Sequence, residues 1–281
     1  MTVLIAGCGD LGTEIGLRLA ELGHTVVGIR RSADKLPAPL LGQSVDLTTT
    51  QPHIPADTNL VVVAIAASAP TVEAYQAAYV DGLRNLLDAL DAAQVVPTRM
   101  LVVSSTAVYK VTDGSWVTES TPTSASSPTD QILIDAEQLL RERMPHASVF
   151  RLAGIYGPGR ERLISQVREG RATVTANPRH TNRIHRDDAA AAAVHLLLRA
   201  DAPAPIYIGV DSDPALRSDV LEFLATELNA PAPTVSDTDS ERGGDKRCSN
   251  ALLLATGFQF RYPSYVEGYR ALLAGEGVRH P

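Results

Sequence analysis

Thr2-Val3-Leu4-Ile5-Ala6-Gly7-Cys8-Gly9-Asp10-Leu11-Gly12-Thr13-Glu14-Ile15-Gly16 decides how the rest of the chain is read. Residues 2–6 form a short apolar run of the kind found in a parallel strand buried on both faces. Gly7, Gly9 and Gly12 then give the G-x-G-x-x-G spacing. In that spacing the first glycine makes a tight turn, the second lets the backbone approach a pyrophosphate, and the third lets the helix pack closely on the strand. The helix continues from Glu14 to Leu22 with an apolar stripe, Gly23 ends it, and Thr25 to Ile29 reads as a second strand. A complete βαβ unit results, with free N–H groups at the helix start facing a phosphate. Gly7, Gly9, Asp10, Leu11 and Gly12 are therefore the expected dinucleotide contacts.

The second strand runs out in Gly28-Ile29-Arg30-Arg31-Ser32. Roughly twenty residues past the glycines is where an NAD-binding protein places an acid on the ribose 2′-hydroxyl. No acid stands there. Two guanidiniums and a hydroxyl suit a 2′-phosphate instead, so Arg30, Arg31 and Ser32 favour NADP, with NAD the alternative and solvated loop arginines the plainer reading.

Composition bounds the partners. The 281 residues are 44% hydrophobic and 20% charged, with a net charge of −7, as in a globular domain with a full core. An acidic chain without a basic run is not built to hold nucleic acid. Cys8 and Cys248 have no C-x-x-C partner, so neither a disulfide framework nor a metal site is expected. The longest apolar stretches, near 60–67 and 189–198, are too short for a bilayer, and a reducing cytoplasm is the expected setting.

Further along, Val45 to Leu47 is a candidate third strand. Leu60 to Ala66 is an unbroken apolar strand whose small-residue exit at Ala66 lets a cofactor lie close. Apolar residues at spacings of three and four predict one long helix over 72–93. Arg99 to Val103 is the next buried strand, and Ser104-Ser105-Thr106-Ala107-Val108-Tyr109 lies at its carboxyl end. Ligands bind at that end of doubly wound sheets, which places Ser104 beside the cofactor. Helix 129–143 with Thr129 or Asp130 as cap, strand 147–152, a turn over 154–159, helix 189–200, strand 206–209, helix 217–228 and a hydrophilic loop over 234–245 complete the reading.

In this order the glycine turn, Ser-Ser-Thr-x-Val-Tyr, Arg151-Leu152-Ala153-Gly154-Ile155-Tyr156-Gly157-Pro158-Gly159 and Asn182-Arg183-Ile184-His185-Arg186-Asp187-Asp188 resemble the extended short-chain dehydrogenases/reductases, the NAD-dependent epimerase/dehydratase-like proteins. The segment from Cys248 to Tyr265 is similar to that family's C-terminal part. The resemblance implies a catalytic Ser or Thr, here Ser105 with Thr106 beside it, and a Tyr-x-x-x-Lys pair on one helix face. Aligning on Glu137 puts Thr129 at the tyrosine position and Leu133 at the lysine position. The lysines are Lys35, Lys110 and Lys246, and no tyrosine stands four residues before any of them. Without that pair, and with the shorter glycine motif, the chain is similar to an atypical extended subgroup related to bacterial proteins labelled nucleoside-diphosphate-sugar epimerases. Tyr109, Tyr156, His185 or water remain as proton sources, His185 because an imidazole titrates near neutrality. Asp188 reads as a helix cap or a local hydrogen-bond partner.

The fold expected is α/β: a Rossmann doubly wound parallel sheet (1–156 and 184–209) with a smaller C-terminal lobe (157–183 and 210–281), the cleft lying over Ser105. Arginines between 160 and 183 are either a solvated surface or a rim for an anionic small-molecule substrate. Two function classes follow: an NADP(H)-dependent oxidoreductase or epimerase-like enzyme, and a dinucleotide-binding sensor or scaffold without turnover. The oligomeric state is open.

Overall fold

The computed structural model describes residues 1–198, 203–236 and 244–281. Strand β1 (Thr2–Ala6) leads through the glycine turn into α1 (Asp10–Glu21), then β2 (Thr25–Arg30), β3 (Leu41–Ser44) and β4 (Thr58–Val63). Next come α2 (Val72–Tyr75), a π-helical stretch (Gln76–Asp81), α3 (Gly82–Ala92), β5 (Arg99–Ser105), β6 (Trp116–Val117), α4 (Pro128–Arg143), β7 (Ser148–Leu152) and β8 (Gly154–Tyr156). The remainder is α5 (Arg162–Arg168), β9 (Thr173–Val174), β10 (Arg183–His185), α6 (Arg186–Leu198), β11 (Ile206–Gly209), α7 (Arg217–Glu227), β12 (Thr234–Val235), β13 (Arg247–Cys248), α8 (Ala251–Ala255) and α9 (Tyr265–Leu273).

Seven strands form one parallel sheet in the order β11-β7-β5-β4-β1-β2-β3. From β1 the chain builds outward to β2 and β3, then returns to the other side of β1 with β4. The order therefore reverses between β1 and β4, and a crevice opens there above the strand ends. Both faces of the sheet are covered, which is why its strands read as continuous apolar runs. One core joins β1, β5 and β7 to α1 and α6; the other packs α3 and α4 on the opposite face. A separate cluster of Tyr156, Ile164, Val167, Val220, Leu221, Leu224 and Tyr269 lies among α5, α7 and α9. Leu253 and Phe258, inside the stretch expected in the smaller lobe, pack into the sheet's core.

Several elements differ from the sequence reading. Strand β3 is Leu41–Ser44, not 45–47. It is an edge strand with an exposed Leu41, so it carries no apolar pattern, whereas Leu47 beyond it is buried in the core. The helix expected over 72–93 is broken by the π-helical stretch, a widened turn that the spacing of apolar residues hides. Gly154–Tyr156 is a strand, paired in parallel with β10, and the turn comes only after it. Ser127 caps α4, accepting the Asp130 N–H on its hydroxyl at 3.2 Å. Thr234–Val235 pairs with β9; the rest of the expected 234–245 loop falls mainly on 237–243, outside the described residues, as does the end of the 189–200 helix. Among the described residues no helix is long and apolar enough to cross a membrane.

Candidate functional site

The glycines of the first turn have different reasons for being there. Gly7 has φ +85°, and a Cβ on it would lie 2.5 Å from the Ile65 nitrogen. One on Gly12 would lie 2.6 Å from the Gly7 carbonyl. Both are dictated by the chain's own packing. At Gly9 a Cβ would meet nothing within 4 Å, and its φ of −85° suits any residue. What an added methyl would obstruct there is open space in front of α1, whose start has no side-chain cap. The cradle fits a phosphate held by backbone N–H groups. Cys8 points inward: a Cβ on Gly28 would come 2.8 Å from its Sγ, and burial raises its thiol to about 11.

The exit of β4 is pressed against Gly7 through Ala64 and Ile65, leaving Ala66 exposed beside the turn. At the end of β2, Arg30 and Ser32 are half-buried and Arg31 exposed. The Arg30 Nη1 donates to the Pro281 backbone oxygen at 2.6 Å. Asp10 turns its carboxylate sideways, accepting from Arg186 Nη1 at 2.7 Å and Arg160 Nε at 2.9 Å. Its side chain is thus committed to protein arginines, and its backbone N–H is what it offers to a ligand.

At the end of β5, Ser105 is the partly exposed member of the candidate acid/base set. Its Oγ accepts the Ala107 N–H at 3.1 Å. A hydroxyl that accepts from the backbone keeps its own proton to donate outward. Ser104, expected at the cofactor, donates its hydroxyl to Glu137 Oε1 at 2.7 Å. Glu137 also takes Arg151 Nε at 3.0 Å and Nη2 at 2.5 Å, and Arg151 Nη1 donates to the Tyr109 hydroxyl at 2.5 Å. All four side chains of this network are buried. Thr106 is buried as well, and burial raises the Tyr109 phenol against the opposing pull of Arg151. The sequence marks this network in one way: an arginine within the fully buried β7 requires a buried acid.

Tyr156 and His185 lie among the rings behind the cleft. His185 faces Tyr262 at 4.2 Å and Tyr156 at 5.3 Å between centroids, and Tyr156 packs on Tyr269 at 4.6 Å. The expectation that His185 titrates near neutrality is corrected: burial lowers it to about 4 against the opposing pull of Asp187. Its Nδ1 accepts the Asp187 N–H at 3.2 Å, so the neutral ring carries its proton on Nε2. Burial drives the Tyr156 phenol far up. Tyr156 Oη, His185 Nε2, Arg183 Nη1 and Asp211 Oδ2 are buried without a hydrogen-bond partner among the described residues. Asp188 holds the returning C-terminal segment, accepting the N–H groups of Arg261 and Tyr262 at 2.8 Å each.

On α4, Leu133 is buried against Val108, Tyr109, Ile208 and Cys248, and Thr129 Oγ1 lies 2.9 Å from the Ser127 hydroxyl. Lys246, which spacing along the chain dismisses, is brought from the C-terminal segment to this region. Its buried Nζ donates to the Tyr109 carbonyl at 2.9 Å, and burial lowers its pKa while Cys248 and Asp130 oppose the shift.

A solved structure of a Methylobacillus flagellatus protein described as an NAD-dependent epimerase/dehydratase is 37% identical over 98% of both chains, with a TM-score of 0.80. The chain belongs to the NAD-dependent epimerase/dehydratase family. A functionally unknown conserved protein from Silicibacter pomeroyi is 26% identical over 98% of both chains, with a TM-score of 0.78. The UDP-glucuronic acid 4-epimerase of Bacillus cereus, solved with UDP-glucuronic acid and NAD, shares the fold at a TM-score of 0.81, with 17% identity over 96% of this chain and 97% of that one. No family model and no curated protein matches the chain.

Proposed function

We propose that this family member binds NADP(H), with NAD the alternative, and acts as an oxidoreductase or epimerase-like enzyme of the atypical extended type on a small carbonyl or sugar-nucleotide-like substrate. The observation that carries the reading is Gly9, a glycine that the protein's own packing does not require, at an uncapped helix start on the sheet's crevice. With the Gly7, Cys8 and Gly9 N–H groups donating to the Ile29 and Gly7 carbonyls, the N–H groups of Asp10, Leu11 and Gly12 at the start of α1 would hold the pyrophosphate in the turn shaped by Gly7 and Gly9, and Arg30, Arg31 and Ser32 a 2′-phosphate. The bound nicotinamide supplies a hydride donor or acceptor. Ser105 would donate the hydrogen bond that polarises a substrate carbonyl. Because Tyr109 is tied to Arg151 and both Tyr156 and His185 are buried, a water entering the cleft is the proton source this arrangement supports. Two buried free thiols are in keeping with a reducing, cytoplasmic setting.

Those same commitments favour a second reading, a dinucleotide-binding sensor or scaffold without turnover. Calorimetric titration with NADPH and NADH, followed by NADPH oxidation with a panel of carbonyl compounds and nucleotide sugars, separates the two. Turnover abolished in Ser105→Ala supports the enzyme. Tight binding with no turnover across the panel supports the sensor, and no binding of either dinucleotide rejects both.

A further inference from the structure

Past α9 the chain turns at Gly275 and Gly277, with φ of +78° and +87°, and comes back over the first turns of α1. A Cβ on Gly277 would lie 2.6 Å from Pro158, so a glycine is what lets the segment through. Each of the next four residues then has a polar partner on a different element. Arg186 Nη2 donates to the Val278 carbonyl at 2.6 Å, and Arg279 Nη1 donates to the Gly159 carbonyl at 3.1 Å. The His280 N–H donates to Asp10 Oδ1 at 3.2 Å, and its Nε2 lies 2.7 Å from Glu14 Oε2. Arg30 Nη1 donates to the Pro281 oxygen at 2.6 Å. The contacts run from the start of α6, past the turn after β8, along α1, to the end of β2.

Residues 278–281 are held chiefly by these polar contacts. Val278 is 70% exposed and adds little apolar burial, whereas the His280 side chain, 11% exposed, is largely covered. The exposed contacts, Arg279 to Gly159 and Arg30 to Pro281, are of the kind readily exchanged for water or for a competing anion. The final contact is to Arg30, the guanidinium that the cofactor reading assigns to the 2′-phosphate.

We propose that residues 278–281 are a strap across the adenosine side of the dinucleotide site, and that the strap and a 2′-phosphate compete for Arg30. NADP(H) carries the group that displaces the Pro281 oxygen, and NAD(H) does not. The strap therefore acts in selection between the two dinucleotides: it lowers NADP(H) affinity by the fraction of time it is closed, and only a dinucleotide with a 2′-phosphate opens it. This inference rests on the cofactor reading above.

Two measurements test it. In the intact protein, millisecond amide exchange read by mass spectrometry reports on residues 276–281. NADPH at saturation is expected to raise exchange there and NADH to leave it unchanged; unchanged exchange with NADPH overturns the strap. In a chain stopped after Gly277, NADPH affinity by calorimetry is expected to rise about tenfold, as for a strap closed about nine-tenths of the time, with NADH affinity little changed. Unchanged or weaker NADPH binding in that chain also overturns it. Arg30→Ala made in the shortened chain keeps the two ideas apart. Loss of NADPH affinity there upholds the role of Arg30 whatever the strap does, and no loss rejects that role and the competition with it.

Discussion

At the residue scale, the glycine turn separates what folding requires from what a ligand requires. Gly7→Ala would drive a Cβ into the Ile65 backbone at a φ of +85°, so it is expected to lower the unfolding temperature markedly. Gly9→Ala meets nothing within 4 Å and is expected to fold with its stability kept to within about 0.5 kcal/mol while losing dinucleotide affinity. Thermal unfolding and calorimetry on the two variants check this, and full affinity in Gly9→Ala would remove the main support for the phosphate site. Asp211 gives a second test. Burial raises it to about 7 from 3.8, with Arg183 and the Asp213 N–H opposing the shift and the charges of Asp213 and Asp188 adding to it. A carboxyl with a raised pKa binds more protons in the folded state, so its contribution to stability is present below pH 4 and is lost as the pH rises through about 7. His185 acts in the opposite sense: lowered from 6.5 to about 4, it makes stability rise with pH across that window. Above pH 6.5 Asp211 acts without that opposition. Asp211→Asn is therefore expected to gain relative stability between pH 5 and pH 8, by about 2.5 kcal/mol at most. Urea denaturation at both values reads the gain, and a parallel pH dependence in variant and wild type refutes it.

At the element scale, α4 bears on the expectation that Thr129 and Leu133 take the tyrosine and lysine positions. Leu133 is buried in the cluster that joins α4 to β11 and β13, and a lysine placed there must lose its charge or its burial. Thr129→Tyr with Leu133→Lys is accordingly expected to destabilise the protein by about 2–5 kcal/mol without restoring carbonyl reduction. A stable double variant that reduces carbonyl compounds would show that this face of α4 does meet the nicotinamide. The elements legible in the sequence were those with a strong period or an unbroken apolar run: β1, α1, β2, β4, β5, α4, β7 and β11 stand where the residues put them. Edge strand β3 was displaced by a few residues because its side chains face solvent, and β8 was read as a turn because three residues carry no period. Beyond the arginine that marks it, the partners in the Ser104–Glu137–Arg151–Tyr109 network were not legible, nor was the strap, since each joins residues separated in the chain through polar groups. Placing Ser105 at the carboxyl end of its strand needed only the local pattern, whereas the burial of Tyr156 and His185 depended on rings supplied by 262–269.

At the scale of the whole molecule, the crevice is closed by contacts that cross from one part of the fold to another. Arg160, in the turn after β8, and Arg186, at the start of α6, both hold Asp10 on α1, so the first turn of α1 is fixed from two sides before any ligand arrives. A dinucleotide spanning β2, the glycine turn and the end of β5 would touch elements from both sides of the strand-order reversal, and binding to the folded state alone stabilises by mass action. At one hundred times Kd this amounts to about 2.7 kcal/mol, and for a chain of this size a rise in unfolding temperature on the order of 5–10 °C. The single tryptophan, Trp116, is 55% exposed with the Arg247 guanidinium 5.2 Å from its ring, so its fluorescence follows unfolding near β6 and β13 while circular dichroism follows the sheet. Both probes are expected to shift together with NADPH, and less with NADH at equal concentration. In an Arg30→Ala, Arg31→Ala double variant the two dinucleotides should give the same shift. If NADPH and NADH already act equally on the unaltered protein, the arginines at the end of β2 do not read the 2′-phosphate. If neither dinucleotide moves the transition, the phosphate cradle at Gly9 is not used.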